Sequence, residues 1–228
     1  MLRTNFMSAI ILLSMITACG NNQHTAGGQE NVKTDGTVQA GTGRPETQHI
    51  LFFGTSLTAG YGLDPEEAYP AIIQKKIDSL NLPYKVINAG LSGETSAAGK
   101  SRIDWLLKQP VDIFVLELGA NDGLRGLSVA ETSANLQAVI DKVKARYPKV
   151  KMVMAGMQMP PNMGASYTAD FKALFSKLAQ KNNMAYIPFL LEGVGGQARL
   201  NQEDGIHPTA EGQKILAENV WARLKPLL

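Results

Sequence analysis

Short apolar runs alternate with longer amphipathic segments from His49 to the end of the chain. The strongest run spans residues 111–118 and consists mostly of Val, Ile, Leu and Phe, a composition typical of a strand that is covered on both faces. Spacings of three and four between apolar positions indicate helices elsewhere. The pattern predicts strands at 50–53, 85–88, 111–118, 151–155 and 185–190, and helices at 69–80, 96–107, 128–147, 169–181 and 209–224.

This alternation of strand and helix, repeated five times, predicts one α/β domain with a five-stranded parallel sheet and helices on both faces. The composition of 44% hydrophobic and 18% charged residues is typical of a globular protein. A net charge of +2, without a basic run, argues against a nucleic-acid partner. In open parallel sheets the working residues lie in loops after the carboxyl ends of strands, so we expect functional residues there.

The N-terminus has the pattern of an export signal. Arg3 precedes an apolar run over residues 6–18, which is too short for a membrane span and suits a signal peptide. The run ends in Ile-Thr-Ala before Cys19, the only cysteine, and so resembles the lipobox of bacterial lipoproteins. We therefore expect a signal peptide at 1–18 and a lipidated Cys19 that anchors an exported protein to the membrane, facing the periplasm or the cell exterior. An ordinary secretory signal is the alternative.

Residues 19–48 are rich in Gly, Thr, Gln and Asn and hold few aliphatic side chains. Such a segment buries too little apolar surface to offset the entropy of ordering it. We interpret it as a flexible tether between the lipid anchor and a folded domain at 49–228.

Two of the predicted loops combine glycines with hydroxyl side chains. After the first strand, Ser56 lies between Gly54 and Gly60, so a tight turn can expose its hydroxyl as a nucleophile. Capping of the following helix is the ordinary alternative for this serine. After the second strand, Gly93 offers an unobstructed backbone N–H to an oxyanion. The alternative is a loop that merely begins a helix, capped by Ser92 or Thr95.

The other two loops offer an amide, an imidazole and a carboxylate. Asn121 follows the third strand and can donate to an oxyanion, although Asn beside Gly is also a common turn former. His207 is the only histidine that lies clear of the tether, so it is the candidate general base. Asp204 precedes it by three residues and can orient the imidazole. A helix-capping aspartate beside an incidental histidine is the alternative.

Several apolar side chains lie near these loops in the sequence and are candidates for an acyl pocket. They are Leu124, Leu127, Met159 and Ile206, with a place in the core as the alternative for each. Gly99-Lys100-Ser101 suggests a phosphate loop, but Glu94 stands where a Walker motif needs glycine, which argues against nucleotide binding. No metal-binding motif is apparent, so we expect neither a metal nor another cofactor. Glu117 is assigned a structural role.

The loop segments resemble those of the SGNH (GDSL-type) hydrolases. The likeness extends from about Ile50 to Trp221 and is densest in GTSLTAGYGL, NAGLSGETSAAG, ELGANDGLRG, MQMPPNMGASYTADF and DGIHPTAEGQ. The most similar subgroup is that of secreted acyl thioesterases, lysophospholipases and arylesterases. The resemblance implies the family's three-layer α/β/α sandwich with a flavodoxin-like, five-stranded parallel sheet.

The resemblance also implies a role for each candidate residue. Ser56 would be the nucleophile, His207 the base and Asp204 its partner. The Ser56 N–H, Gly93 and Asn121 would form the oxyanion hole. The implied activity is that of a serine esterase acting on small-molecule or lipid substrates, namely acyl and aryl esters, lysophospholipids or acyl thioesters, through an acyl-enzyme and without a cofactor.

Thr55 departs from the family pattern, which usually has aspartate at this position. By resemblance that aspartate is not the triad acid, and a threonine hydroxyl can replace part of its hydrogen bonding within the turn. Two alternatives to the esterase stay open at this point. One is a carbohydrate O-acetyl esterase that uses the same residues. The other, motivated by Thr55 and the tether, is a non-catalytic binding lipoprotein.

Overall fold

Five parallel strands form the centre of the computed structural model, which describes residues 46–228. They lie in the order β2-β1-β3-β4-β5, which is the flavodoxin-like arrangement. The strands are β1 (Gln48–Gly54), β2 (Tyr84–Gly90), β3 (Ile113–Glu117), β4 (Lys151–Ala155) and β5 (Ala185–Ile187). The signal peptide predicted at 1–18, the lipidated Cys19 and all but the end of the tether lie outside the described residues.

Seven α-helices connect the strands or follow them within the described part of the chain. They are α1 (Ser56–Ala59), α2 (Tyr69–Ser79), α3 (Ser96–Leu106), α4 (Ala120–Leu124), α5 (Val129–Arg146), α6 (Ala165–Asn182) and α7 (Ala210–Leu224). Short 3-10 turns occur at Pro65–Glu67, Pro161–Met163, Ala198–Leu200 and Lys225–Leu227. From residue 46 onward, no helix is both long enough and apolar enough to cross a bilayer.

The helices cover the sheet in two layers. On one side α2 packs against α7, and on the other α5 packs against both α3 and α6. Central strands are therefore enclosed on both faces, and the four residues 50–53 of β1 are fully buried. This explains why they form a continuous apolar run instead of an alternating one. The predicted three-layer α/β/α sandwich is confirmed.

The predicted boundaries differ from the observed ones by more than two residues in two places. The fifth strand ends at Ile187, three residues before its predicted end, because Pro188 has no N–H to donate to a ladder. Helix α6 begins at Ala165, four residues before its predicted start, after Gly164 with a φ of 93°. Neither difference affects the loops that follow β1, β2 and β3.

The order of the strands in the sheet places three of the four candidate loops side by side. From β1 the chain proceeds to β2 on one side and then to β3 on the other, so these three strands are neighbours in the sheet. Their carboxyl ends share one edge, at the point where the strand order reverses. The candidate residues that follow the three strands are thereby gathered at this edge.

Candidate active site

Ser56 is the first residue of α1, directly after the turn that leaves β1. The helix is capped by Thr55 without a side-chain hydrogen bond, so the hydroxyl of Ser56 is not used as a cap. Instead Ser56 Oγ lies 2.9 Å from His207 Nε2, although the two residues are 151 positions apart. The structure therefore places the predicted nucleophile and the predicted base in hydrogen-bond contact.

Asp204 completes the line of contacts on the far side of the imidazole. Its Oδ2 lies 2.6 Å from His207 Nδ1, while its Oδ1 accepts from the backbone N–H groups of Ile206 and His207 at 2.8 and 2.9 Å. The His207 side-chain hydrogen bond, followed by these backbone bonds, lowers the pKa of Asp204 to about 2. The following helix is capped by Thr209, so Asp204 does not serve as its cap.

The loop that carries His207 is closed by a glutamine and covered by a tyrosine. The Gln202 side chain donates to the carbonyl oxygens of Tyr61 and Pro208 at 2.7 and 3.0 Å. The backbone N–H of Gln202 donates to the carbonyl oxygen of His207 at 2.7 Å. The Tyr61 ring lies 4.5 Å from the imidazole, measured between centroids. Tyr61 therefore packs on the imidazole while half of its surface faces solvent.

The three predicted oxyanion donors lie in the loops after β1, β2 and β3. Asn121 Nδ2 donates one hydrogen to the Glu94 carbonyl at 3.0 Å, which orients the amide and leaves its second hydrogen for a ligand. Gly93 has a φ of 79°, a conformation that favours glycine. Within residues 46–228 neither the Ser56 nor the Gly93 backbone N–H has a hydrogen-bond acceptor. These donors are available for an anionic oxygen.

Two further carboxylates hold the oxyanion loops. Glu94 forms a bidentate pair with Arg102, at 2.7 and 2.6 Å, which ties the loop after β2 to helix α3. Asp122 is buried and accepts from the backbone N–H and the hydroxyl of Ser96, at 2.8 and 2.5 Å. The residues next to Gly93 and Asn121 are thereby joined to the same helix, Glu94 at its middle and Asp122 at its start.

A third carboxylate, that of Glu117, lies beneath the nucleophile turn and is fully buried at the end of β3. Its Oε2 accepts from the backbone N–H groups of Thr55 and Thr58, at 2.8 and 3.3 Å, and from the Thr58 hydroxyl at 2.7 Å. Its Oε1 accepts from the Thr55 hydroxyl at 2.9 Å. Gly54 leaves room for it, because a Cβ at that position would lie 2.5 Å from Oε2.

Burial dominates the ionisation of Glu117 and of its neighbour Tyr69. Removal from water raises the pKa of the Glu117 carboxyl to about 7, although the threonine hydrogen bonds act in the opposite direction. The Tyr69 hydroxyl lies 2.7 Å from that of Thr58, and burial followed by the Glu117 charge raises its pKa as well. The nucleophile turn therefore rests on a buried network that contains two ionisable groups.

Helix α7 also contacts the nucleophile turn. The buried Gln213 side chain accepts from the backbone N–H of Tyr69 at 2.9 Å and donates to the carbonyl of Leu57 at 3.2 Å. It thus joins the last helix of the chain to the residue after the predicted nucleophile.

Three of the four predicted pocket residues are exposed at the site. Leu124, Leu127 and Ile206 are each 41–50% exposed, whereas Met159 is half-buried, with its sulfur 2.4 Å from the position of a Cβ on Gly123. Two more large apolar side chains, Tyr61 and Leu91, are exposed in the same loops. Five of the seven exposed large hydrophobic residues described thus lie in the segments that carry the candidate residues, and their exposure excludes a core role for Leu124, Leu127 and Ile206.

A hydroxyl, an imidazole and a carboxylate in series form the arrangement by which serine hydrolases activate their nucleophile. Three converging donors beside the hydroxyl are what the tetrahedral intermediate of acyl transfer requires. Among residues 46–228, no group of three His, Cys, Asp or Glu side chains is placed to share a metal ion.

Comparison with known proteins gives the same class. Residues 52–215 match the GDSL-like Lipase/Acylhydrolase family. Esterase TesA of Pseudomonas aeruginosa is 41% identical over 188 residues, which are 82% of this chain and 92% of that protein. Thioesterase 1/protease 1/lysophospholipase L1 of Escherichia coli K12 is 36% identical over 180 residues, 78% of this chain and 84% of that protein. A crystal structure of TesA, 41% identical, gives a TM-score of 0.76 and covers 79% of this chain and 100% of that one.

The chain belongs to the GDSL-like lipase/acylhydrolase family and is an ester hydrolase. The resemblance to SGNH hydrolases is thereby confirmed, and the alternative of a non-catalytic binding protein is not supported. Sequence reasoning missed the contact of Glu117 with the nucleophile turn. An ionisable residue at the end of an otherwise apolar strand was the available signal.

Proposed function

We propose that Ser56, His207 and Asp204 hydrolyse carboxylic esters through an acyl-enzyme on Ser56. The observation that carries the proposal is the unbroken line of contacts from Ser56 Oγ through both imidazole nitrogens to Asp204, at 2.9 and 2.6 Å. Asp204 accepts the Nδ1 hydrogen, so Nε2 is left as the acceptor that faces the serine hydroxyl.

In the first stage His207 takes the Ser56 proton while Oγ attacks the ester carbonyl. The oxyanion is bound by the N–H groups of Ser56 and Gly93 and by the Asn121 amide. The imidazolium then protonates the leaving alcohol, and the acyl group stays on Ser56. In the second stage water gives a proton to His207 and attacks the acyl-enzyme. The imidazolium then returns this proton to Ser56 Oγ as the bond between Oγ and the acyl carbon breaks and the acid is released.

The exposed apolar side chains around the site support substrates with an acyl chain or an aryl group. Leu124, Leu127 and Ile206 offer contacts that an acetyl group on a carbohydrate is too short to use. Medium or short acyl esters, aryl esters, lysophospholipids and acyl thioesters are the proposed substrates. Two relatives carry the names esterase and thioesterase 1/protease 1/lysophospholipase L1, which favours this class over the carbohydrate O-acetyl esterase.

The test is hydrolysis of nitrophenyl acetate, butyrate, octanoate and palmitate by the full chain in detergent. Ser56→Ala is the matched control, because it removes only the hydroxyl. We expect activity with a chain-length optimum above acetate in the wild type and its loss in the control. A strict preference for acetate would favour the carbohydrate esterase. Activity that survives in Ser56→Ala would remove Ser56 as the nucleophile.

The proposal extends to export and anchoring. The apolar run before Cys19 and the polar segment 19–48 support a lipoprotein whose tether keeps the domain near the membrane surface. Cys19→Ser is the variant that tests it, with fractionation of the membrane and metabolic labelling by a fatty acid as readouts. Loss of label and of membrane association is expected. An unchanged distribution and an absence of label in the wild type would favour the ordinary secretory signal.

A further inference from the structure

We propose that Glu117 is a positioning residue for Ser56: its carboxylate fixes the backbone on both sides of the nucleophile and so directs the Ser56 hydroxyl and N–H. The inference rests on the proposed role of Ser56. Glu117 acts through the turn, since its hydrogen bonds go to Thr55 and Thr58.

The backbone contacts span the nucleophile. Glu117 Oε2 accepts from the N–H of Thr55, which precedes Ser56, and from the N–H of Thr58, two residues after it. One oxygen atom thus holds both ends of a four-residue segment. The Ser56 N–H lies inside this segment and has no acceptor in residues 46–228, so its direction is set by the fixed peptides around it.

The hydroxyl groups of the network have one consistent direction when Glu117 is ionised. Thr55 and Thr58 donate their hydrogens to the carboxylate, and Tyr69 donates to Thr58 Oγ1. Each hydroxyl then makes one donation, and the carboxylate only accepts. A protonated Glu117 has a hydrogen of its own, so one threonine hydroxyl must reverse or lose its bond. Protonation therefore disturbs the turn that carries Ser56.

Few charged or ionisable groups face the Glu117 carboxyl group. The turn into α1 contributes Thr55 and Thr58, β1 contributes Gly54, and α2 contributes the ionisable Tyr69. Burial raises the pKa of Glu117 to about 7. The ionised fraction therefore changes within the pH range in which an esterase is assayed.

Glu117→Gln is the informative variant, because it keeps the shape and removes the charge. The amide oxygen can keep the contacts of Oε2, whereas the amide nitrogen must donate to Thr55 instead of accepting from it. We expect kcat for nitrophenyl butyrate to fall about tenfold or more with KM within about twofold, because a shifted nucleophile affects the chemical step. Labelling of Ser56 by a fluorophosphonate should slow in parallel.

The pH profile separates positioning from mere stabilisation. Protonation of Glu117 should make the fall of kcat/KM on the acid side steeper in the wild type. In Glu117→Gln this group no longer titrates, so the fall should be shallower. A purely structural role for Glu117 would leave the two slopes equal.

Val143→Ala is the control for lost stability, since Val143 is fully buried in α5 and belongs to no part of the site. At temperatures well below unfolding it should keep kcat near the wild-type value. If Glu117→Gln does not fold, Thr55→Val and Thr55→Ser replace it. Because only serine keeps a hydroxyl for Glu117, kcat should fall further in Thr55→Val.

Three results overturn the proposal while wild-type esterase activity persists. They are a kcat of Glu117→Gln within twofold of wild type, equal acid slopes, or equal kcat in the two Thr55 variants. Failure of the proposed function is a different result, namely a folded wild type that hydrolyses no ester or that keeps its activity in Ser56→Ala.

Discussion

Two carboxylates support the Ser56–His207 pair from opposite sides, and their surroundings differ in nearly every respect. Glu117 is fully buried and contacts residues 62 and 59 positions away in the sequence. Asp204 has a side chain that is 38% exposed, and it contacts residues two and three positions away. The pKa of Glu117 is raised to about 7 by burial, whereas hydrogen bonds lower that of Asp204 to about 2.

The comparison shows that the number of accepted hydrogen bonds does not decide whether the pKa of a carboxyl group is raised or lowered. Each of the two groups accepts several bonds that favour its charged form, but only Glu117 has lost its contact with water. Glu117 thus supports the turn of Ser56 through contacts distant in sequence, whereas Asp204 supports His207 within a local turn. We expect changes at Asp204 to affect activity with little effect on stability, and changes at Glu117 to affect both.

The largest effect is expected for Asp204→Asn. Without the carboxylate the imidazole loses its preferred tautomer, and kcat should fall about 10⁴-fold, as for other triads of this kind. The Tm near neutral pH should change little, because the side chain is partly exposed. Kinetics with nitrophenyl butyrate and thermal unfolding measure the two quantities. Glu203→Gln, an exposed neighbour in the same loop, is the matched control. A small kinetic effect would remove Asp204 from the triad.

Asn121→Ala is expected to have the second largest effect. It removes the side-chain donor of the oxyanion hole, and such losses lower kcat about 100-fold or more. KM should change little, because the oxyanion forms only during reaction. Single-turnover acylation with a nitrophenyl ester measures the step directly. Unchanged turnover would show that the two backbone N–H groups suffice without Asn121.

The stability of the protein should depend on pH in opposite ways through the two carboxylates. Glu117 has its pKa raised from 4.5 to about 7, so between these values the folded chain keeps a proton that the unfolded chain releases. Its contribution to the free energy of unfolding, on the order of 3 kcal/mol, is present below pH 4.5 and is lost as the pH rises to 7. The contribution of Asp204 is small, because the side chain is partly exposed; it is present above pH 3.8 and is lost as the pH falls through 2.

Urea unfolding between pH 4.5 and 7 checks this prediction. In Glu117→Gln the decrease in the free energy of unfolding across this range should be absent, because the amide does not titrate. Asp170→Asn removes an exposed carboxylate on α6 and should keep the wild-type slope. If the free energy of unfolding changed equally with pH in the wild type and in Glu117→Gln, Glu117 would be ionised throughout the range.

The smallest effect is expected for Tyr61. Its ring lies 4.5 Å from the imidazole and can stabilise the imidazolium that forms during reaction. At an exposed site such a contact is worth about 0.5–1 kcal/mol, so Tyr61→Ala should lower kcat/KM about two- to fivefold. Tyr61→Phe keeps the ring and should lose less. Equal values in both variants would assign the effect to the hydroxyl.

The base side of the site was predictable from sequence because its geometry is local. A spacing of three residues is enough to bring Asp204 to His207. Strand alternation also predicted the sheet and the edge at which the loops meet. The end of β5 was placed too late, although Pro188 was visible in the sequence, because the apolar run continues past it.

The nucleophile side was only partly predictable. Glycines around Ser56 indicated an exposed hydroxyl, but the partners of Glu117 are about 60 positions away and lie on another strand. The spacing of residues in the sequence does not predict such contacts. They depend on the register between β1 and β3, which places Gly54 opposite Glu117. Thr55 was expected to support the turn through its hydroxyl, and the structure gives that hydroxyl Glu117 as its partner.

The contact between Gln213 and Leu57 has a consequence for the biosynthesis of the protein. Ser56 and Leu57 are made well before His207 and Gln213, which follow them by 151 and 156 positions. A nascent chain that has not yet reached His207 therefore lacks both the imidazole that contacts Ser56 and the glutamine that holds the turn after it. On the proposed roles of these residues, we expect such a chain to leave intact the esters that it meets during its own synthesis.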